Sequence, residues 1–121
     1  TDAPLDARNL ERLAKRAMLG LGRTGGISSN GSGDYVIAFS TAGEVRVPYR
    51  SESSVMSNRI LRNDAMSPLF TAVIEATEES ILNSLFMAKK MTGYKNRTIN
   101  ELPEEVVLEI LKEKNLLQTG R

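Results

Sequence analysis

The segment LFTAVIEATEESILNSLFMAKKM (residues 69–91) limits the folds open to this chain more than any other stretch. A helix on the surface of a domain shows one apolar stripe at a 3.6-residue period. Here apolar residues surround much of the helix, so one side is expected to pack on a sheet and the other on something further. Ser67-Pro68 opens it, with a hydroxyl at the N-cap and proline at the first helical position, and the helix is expected to stop at Gly93. Sheet to cover it is scarce. Tyr35–Thr41 reads as a buried strand, Glu44–Val47 alternates like a half-exposed one, and Ala42-Gly43 between them fits a tight hairpin. Two strands cannot cover this much helix surface. The chain therefore reads as part of a larger α/β assembly whose remaining strands lie elsewhere.

The other elements are simpler. Leu10, Leu13, Ala14, Ala17, Met18 and Leu21 form one stripe on a helix expected from about Leu5 to Gly20. Asp6 is its natural N-cap, and Gly20 or Gly22 its terminator. Arg8, Arg12, Lys15 and Arg16 lie on the other side and read as a solvated basic face. A polar stretch, Arg50 to Met66, reads as a long loop with room for one helical turn. After Pro103, EEVVLEILKEKN predicts a third helix with Val106, Val107, Ile110 and Leu111 inward.

Composition excludes several chemistries. The 121 residues suit one domain or a subunit of one, and a net charge of +1 gives no field that recruits nucleic acid or an anionic membrane. No apolar run is long enough to span a bilayer and no signal-type segment opens the chain, which fits a cytoplasmic protein. Cysteine and histidine are both absent. That removes thiolate nucleophiles, zinc–thiolate sites and any imidazole-assisted serine within this chain. A base working at neutral pH must then be a carboxylate, a lysine or a free α-amine.

Few motifs survive comparison with plain structural readings. GLGRTG (residues 20–25) matches a dinucleotide fingerprint, but a helix precedes it and a loop follows, so a helix end explains its glycines better. Glu75, Glu78 and Glu79 lack matching ligands on a second helix and read as an acidic edge or a polar contact to another chain. Asn30 and Asn96 stand in short glycosylation-type patterns that carry little weight. Thr1 has the chemistry of a terminal nucleophile, but TDAPLD reads as a turn entering a helix, whereas such a residue should head a strand. Ser32 and Asp34, in SSNGSGDYVIAFSTA, are harder to set aside. A turn accounts for the glycines and tolerates the serine. It has no need of a carboxylate at the mouth of a strand.

Three segments in order, TDAPLDARNLERLAKRAMLGLGRTGG, SGDYVIAFSTA and LFTAVIEATEESILNSLFMAKKMTG, resemble the small β subunit of the DmpA-type aminopeptidases. This is the L-aminopeptidase/D-esterase family, which includes the β-peptidyl aminopeptidases. The resemblance implies a precursor that cuts itself into a large α and a small β subunit. It implies an α/β fold, part of a four-layer α/β/β/α sandwich like that of the N-terminal-nucleophile hydrolases, completed by the second, larger subunit. The nucleophile, a serine or threonine, would begin a short apolar strand about seven residues before Thr1. Residues 1–121 are then a single-domain fragment without that strand. The family's Ser-Gly-acid motif maps onto Ser32, Gly33 and Asp34, with Ser32 bonded to the nucleophile and its α-amine, and Asp34 orienting the relay. The implied activity is hydrolysis of N-terminal amide or ester bonds of small substrates, without metal or organic cofactor, by an oligomer of αβ pairs. Two rivals are an acyltransferase on the ornithine-acetyltransferase-like architecture and a non-catalytic structural subunit.

Overall fold

A computed structural model of the chain describes residues 1–117. They divide into two compact units, Thr1–Ser80 and the residues from Ile81 onward. The elements are helix α1 (Ala7–Arg23), helix α2 (Ser67–Met87), strands β1 (Met91–Thr92) and β2 (Thr98–Ile99), and helix α3 (Glu104–Glu113). Single 3-10 turns lie at Gly43–Val45, Asn63–Ala65 and Tyr94–Asn96. No described helix is long and apolar enough to cross a membrane.

Asp6 caps α1 as expected, its carboxylate accepting from the Asn9 N–H at 2.8 Å. The helix passes through Gly20 and Gly22, however, and ends at Arg23. Termination falls to Thr24, whose N–H and hydroxyl both reach the Leu21 carbonyl, and to Gly25 at φ +91°. Gly20 is instead a packing residue. A Cβ there would lie 2.6 Å from the Ile74 carbonyl oxygen and 2.7 Å from Thr77 Cβ, so only glycine lets α1 and α2 approach this closely. Gly20→Val is expected to lower stability by about 1–3 kcal/mol, measured by denaturant unfolding of the natively purified protein.

The buried residues of α1 are Asn9, Leu13, Ala17 and Gly20, a stripe rotated from the one that apolarity alone predicts. Asn9 tolerates burial because its side-chain oxygen accepts from Arg12 at 2.8 Å. Leu13 joins Leu5 and Met66 in the core, with Leu10, Leu61, Leu69, Phe70 and Val73 packed around them.

The basic face of α1 is not simply solvated. Arg12 and Arg16 lie over the Phe70 ring, 4.8 and 3.4 Å from its centre, and Arg8 and Arg12 both donate to the Asn63 side-chain oxygen. Their stems and flat guanidinium faces shield an aromatic ring of α2 while their edges stay wet. Arg8 stays exposed, and Lys15 behaves as expected, 2.6 Å from Glu11 in an exposed i, i+4 pair. That hydrogen bond and charge hold the Glu11 carboxyl below its usual range. Since the folded pKa is the lower one, the pair's contribution to stability exists above the unfolded carboxylate value and is lost as pH falls through the folded one.

Two strand expectations fail. Residues 33–42 form no hydrogen-bonded strand of the chain, and Glu44 and Val45 lie in a 3-10 turn rather than in a second strand. The Ala42-Gly43 hairpin is therefore absent too. Ala42 is buried and leads into that 3-10 turn. α2 begins at Ser67 itself, with Met66 accepting from the Phe70 N–H, so Ser67 and Pro68 are its first two residues. It ends at Met87, short of Gly93, because Met91 and Thr92 pair antiparallel with Ile99 and Thr98. Lys95 and Asn96 close that hairpin at positive φ. No residue of α2 is buried, so its second apolar face stays open. In α3, Val107 and Leu111 are half-buried, while Val106 and Ile110, expected inward, are exposed.

Candidate functional site

The loop after α1 turns twice before it reaches Ser32. Ser32 donates its backbone N–H to the Ser29 carbonyl at 2.9 Å, closing a turn whose third residue, Gly31, has φ +96°. Gly31 thus meets the geometric demand of the turn, and the Ser32 hydroxyl is not needed for it. Ser32, Gly33 and Asp34 are all exposed. Among the described residues, neither the Ser32 hydroxyl nor the Asp34 carboxylate has a hydrogen-bond partner.

The apolar run that follows alternates in exposure. Tyr35 (93%), Ile37 (88%) and Phe39 (65%) face outward, whereas Val36 (41%), Ala38 and Ser40 are better covered. This is the period of a strand with one face on the helices and one face bare. The sequence pattern was strand-like for that reason, and burial fails because nothing in the described chain covers the outer face.

One edge of the run is partly paired. The Thr1 nitrogen donates to the Phe39 carbonyl at 3.2 Å, and Thr41 donates its N–H to the Thr1 carbonyl at 2.9 Å. Bonds from one residue to two that flank Ser40 are the parallel pattern. Ser40 fastens the next residues by donating its hydroxyl to the Ala3 carbonyl at 2.6 Å. Thr1 is therefore strand-paired, with Oγ1 accepting from the Ala3 N–H and its nitrogen donating to the Phe39 carbonyl. Nothing local in TDAPLD signals this pairing, because a parallel contact between distant segments leaves no short-range pattern.

Behind the pairing lies an apolar cleft of about 290 Å³, bounded by Thr1, Ala38 and Phe39 and by Leu13, Leu69 and Val73 of the two helices. The remaining candidates stay apart from it. Glu78 is held by Arg23 at 3.1 Å, whereas Glu75 and Glu79 are exposed on α2. Asn30 is exposed beside Gly31, and Asn96 closes the hairpin of the second unit.

Two helices lie behind an extended, partly paired run with a hydroxyl and a carboxylate at its mouth. The class becomes specific by comparison. The profile of peptidase family S58 matches residues 1–99, and the chain belongs to that family. It is 42% identical over 122 aligned positions to the beta-peptidyl aminopeptidase BapA of Sphingosinicella microcystinivorans, covering all of this chain and 30% of that protein. A solved protein from Pyrococcus horikoshii superposes with a TM-score of 0.83 at 46% identity, over 96% of this chain and 32% of that one. The L-aminopeptidase D-Ala-esterase/amidase of Ochrobactrum anthropi, described as a prototype serine aminopeptidase and a variant of the Ntn hydrolase fold, superposes at 0.81 with 28% identity. That match covers 97% of this chain and 32% of the other. The chain thus has the fold of one portion of an Ntn hydrolase and spans about 30% of the length of the relatives it matches.

Proposed function

We propose that this chain is the β-subunit part of an aminopeptidase or amidase that hydrolyses N-terminal amide or ester bonds through an acyl-enzyme. The nucleophile is a serine or threonine freed by self-cleavage of a precursor, and a larger subunit from the same precursor completes a four-layer α/β/β/α sandwich. The observation that carries this reading is the parallel register of Thr1 with Ser40. Counting seven residues back from Thr1, where the family pattern has its nucleophile, moves seven back from Ser40, to Gly33. A strand continuing in that register delivers its first residue between Ser32 and Asp34. Gly33 has no side chain to crowd it.

The chemistry follows from that meeting point. The nucleophile's α-amine, with an ordinary pKa near 8, takes the hydroxyl proton at neutral pH as the oxygen attacks the substrate carbonyl. It returns the proton to the departing amine or alkoxide as the tetrahedral intermediate collapses. Water then repeats the sequence on the acyl-enzyme and releases the acid. Ser32 holds the nucleophile and the amine in line by hydrogen bonds, and Asp34 stabilises the ammonium formed in each half. The absence of histidine from the chain is consistent with an amine in this role. The step needs no metal or organic cofactor.

A serine-directed electrophile such as a sulfonyl fluoride, followed by peptide mapping of the natively purified protein, tests this directly. The adduct is expected on the N-terminal residue of a chain that begins about seven residues before Thr1. An adduct on Ser32, or full activity from an uncleaved precursor, would overturn the assignment. Acid released in the absence of any added amine separates hydrolysis from transfer to an acceptor.

A further inference from the structure

The second unit has no interior of its own. No described residue from Ile81 onward is buried, and Met91, Tyr94 and Ile99 are exposed on the β1–β2 hairpin around a hollow of about 550 Å³. The charges of this unit are sharply divided. Residues 88–100, AKKMTGYKNRTIN, carry Lys89, Lys90, Lys95 and Arg97 and no acid. Residues 101–113, ELPEEVVLEILKE, carry five glutamates and one lysine. Among the described residues no ion pair joins the two segments. A hydrogen bond links them at the neck of the hairpin, Glu101 accepting from the Lys90 backbone N–H at 2.6 Å. α3 also exposes Val106, Leu108 and Ile110 beside its glutamates.

We propose that this unit is a self-complementary contact between two copies of the chain, with the basic hairpin of one copy docking on acidic α3 of the other and the reverse. A two-fold contact requires one surface to carry both halves of the complementarity. The division of charge within these two consecutive segments meets that condition. Opposite charges at the rim orient the approach, and the exposed apolar residues of hairpin and helix supply the dry centre. A partner with no such reciprocity, such as an acidic peptide, would match the hairpin and leave α3 unexplained. The proposal is independent of the catalytic reading, since none of these residues belongs to the Ser32–Asp34 site.

Two charge-reversed forms of the full enzyme test it by sedimentation at micromolar concentration. One carries Lys95→Glu with Arg97→Glu, and the other carries Glu105→Lys with Glu109→Lys. Each alone is expected to lose the contact, with at least a tenfold weaker association between copies. Mixed in equal amounts they are expected to associate again, because the reversed hairpin of one form then meets the reversed α3 of the other, and the unaltered hairpin meets the unaltered α3. Peptidase turnover serves as the readout of folding and should persist in both forms. An unchanged assembly in either form, or failure of the folded mixture to re-associate, overturns the proposal. So does separation of the two subunits of one enzyme from each other in place of separation between copies. If a reversed form does not fold, the unmodified enzyme decides: association must weaken between 0.05 and 1 M salt, where screening shortens from roughly 14 to 3 Å, and a salt-independent assembly rejects the charge pairing.

Discussion

Ser32→Ala is expected to lower kcat/KM for an N-terminal amide substrate by roughly 100- to 10,000-fold while leaving the fold intact. The turn at Ser29–Ser32 depends on the Ser32 backbone N–H and on the positive φ of Gly31, and alanine preserves both. The hydroxyl is exposed and bonds nothing in the described chain. A stability change beyond about 0.5 kcal/mol is therefore not anticipated, and lost turnover would report the site alone. Asp34→Asn supplies a readout that a structural role would not move. A carboxylate near the α-amine favours its ammonium form, so removing that charge lowers the amine pKa. The acid limb of the pH–rate profile should then shift to lower pH. Unchanged turnover and pH profile in both variants would return Ser32 and Asp34 to the role of a turn and reject the proposed relay.

The largest effect on stability is expected at Met66, which is 0% exposed at the junction between a 3-10 turn and α2. Its side chain meets Leu5 and Leu13, so it joins the segment before α1, α1 itself and the start of α2 in one small core. Met66→Ala should destabilise the protein by about 2–5 kcal/mol, because few neighbours are free to collapse into the space. Denaturant unfolding of the natively purified protein measures it. Met87→Ala, at an exposed methionine at the C-terminal end of α2, should stay within about 0.5 kcal/mol. Equal losses at the two positions would contradict this account of the core.

The helices were legible because their signals are local. The stripe from Leu10 to Leu21, the cap at Asp6 and the proline before α3 each act within a few residues, and all three helices appear, with ends shifted by a few positions. The hairpin at Met91–Ile99 was not legible. Its strands are two residues long, too short to show alternation, and Met91 reads as one more apolar position of the preceding helix. The run from Tyr35 to Thr41 was legible as a strand pattern but not as a buried one. Its outer face needs partners that the described chain does not supply, and α2 carries an open face for the same reason.

The sequence by itself determined the helices, the turn chemistry around Gly31, the exclusion of histidine and cysteine chemistry, and the presence of a hydroxyl and a carboxylate beside a strand-like run. Each depends on composition or on neighbours along the chain. Only the tertiary structure decided that Gly20 serves helix packing, that arginines of α1 cover Phe70, and that Thr1 runs parallel to Ser40. These are contacts between segments far apart in sequence, fixed by shape and hydrogen-bond geometry rather than by any local preference. The register on which the proposed site rests is one of them, since a parallel pairing is specified only when both segments are anchored by their packing.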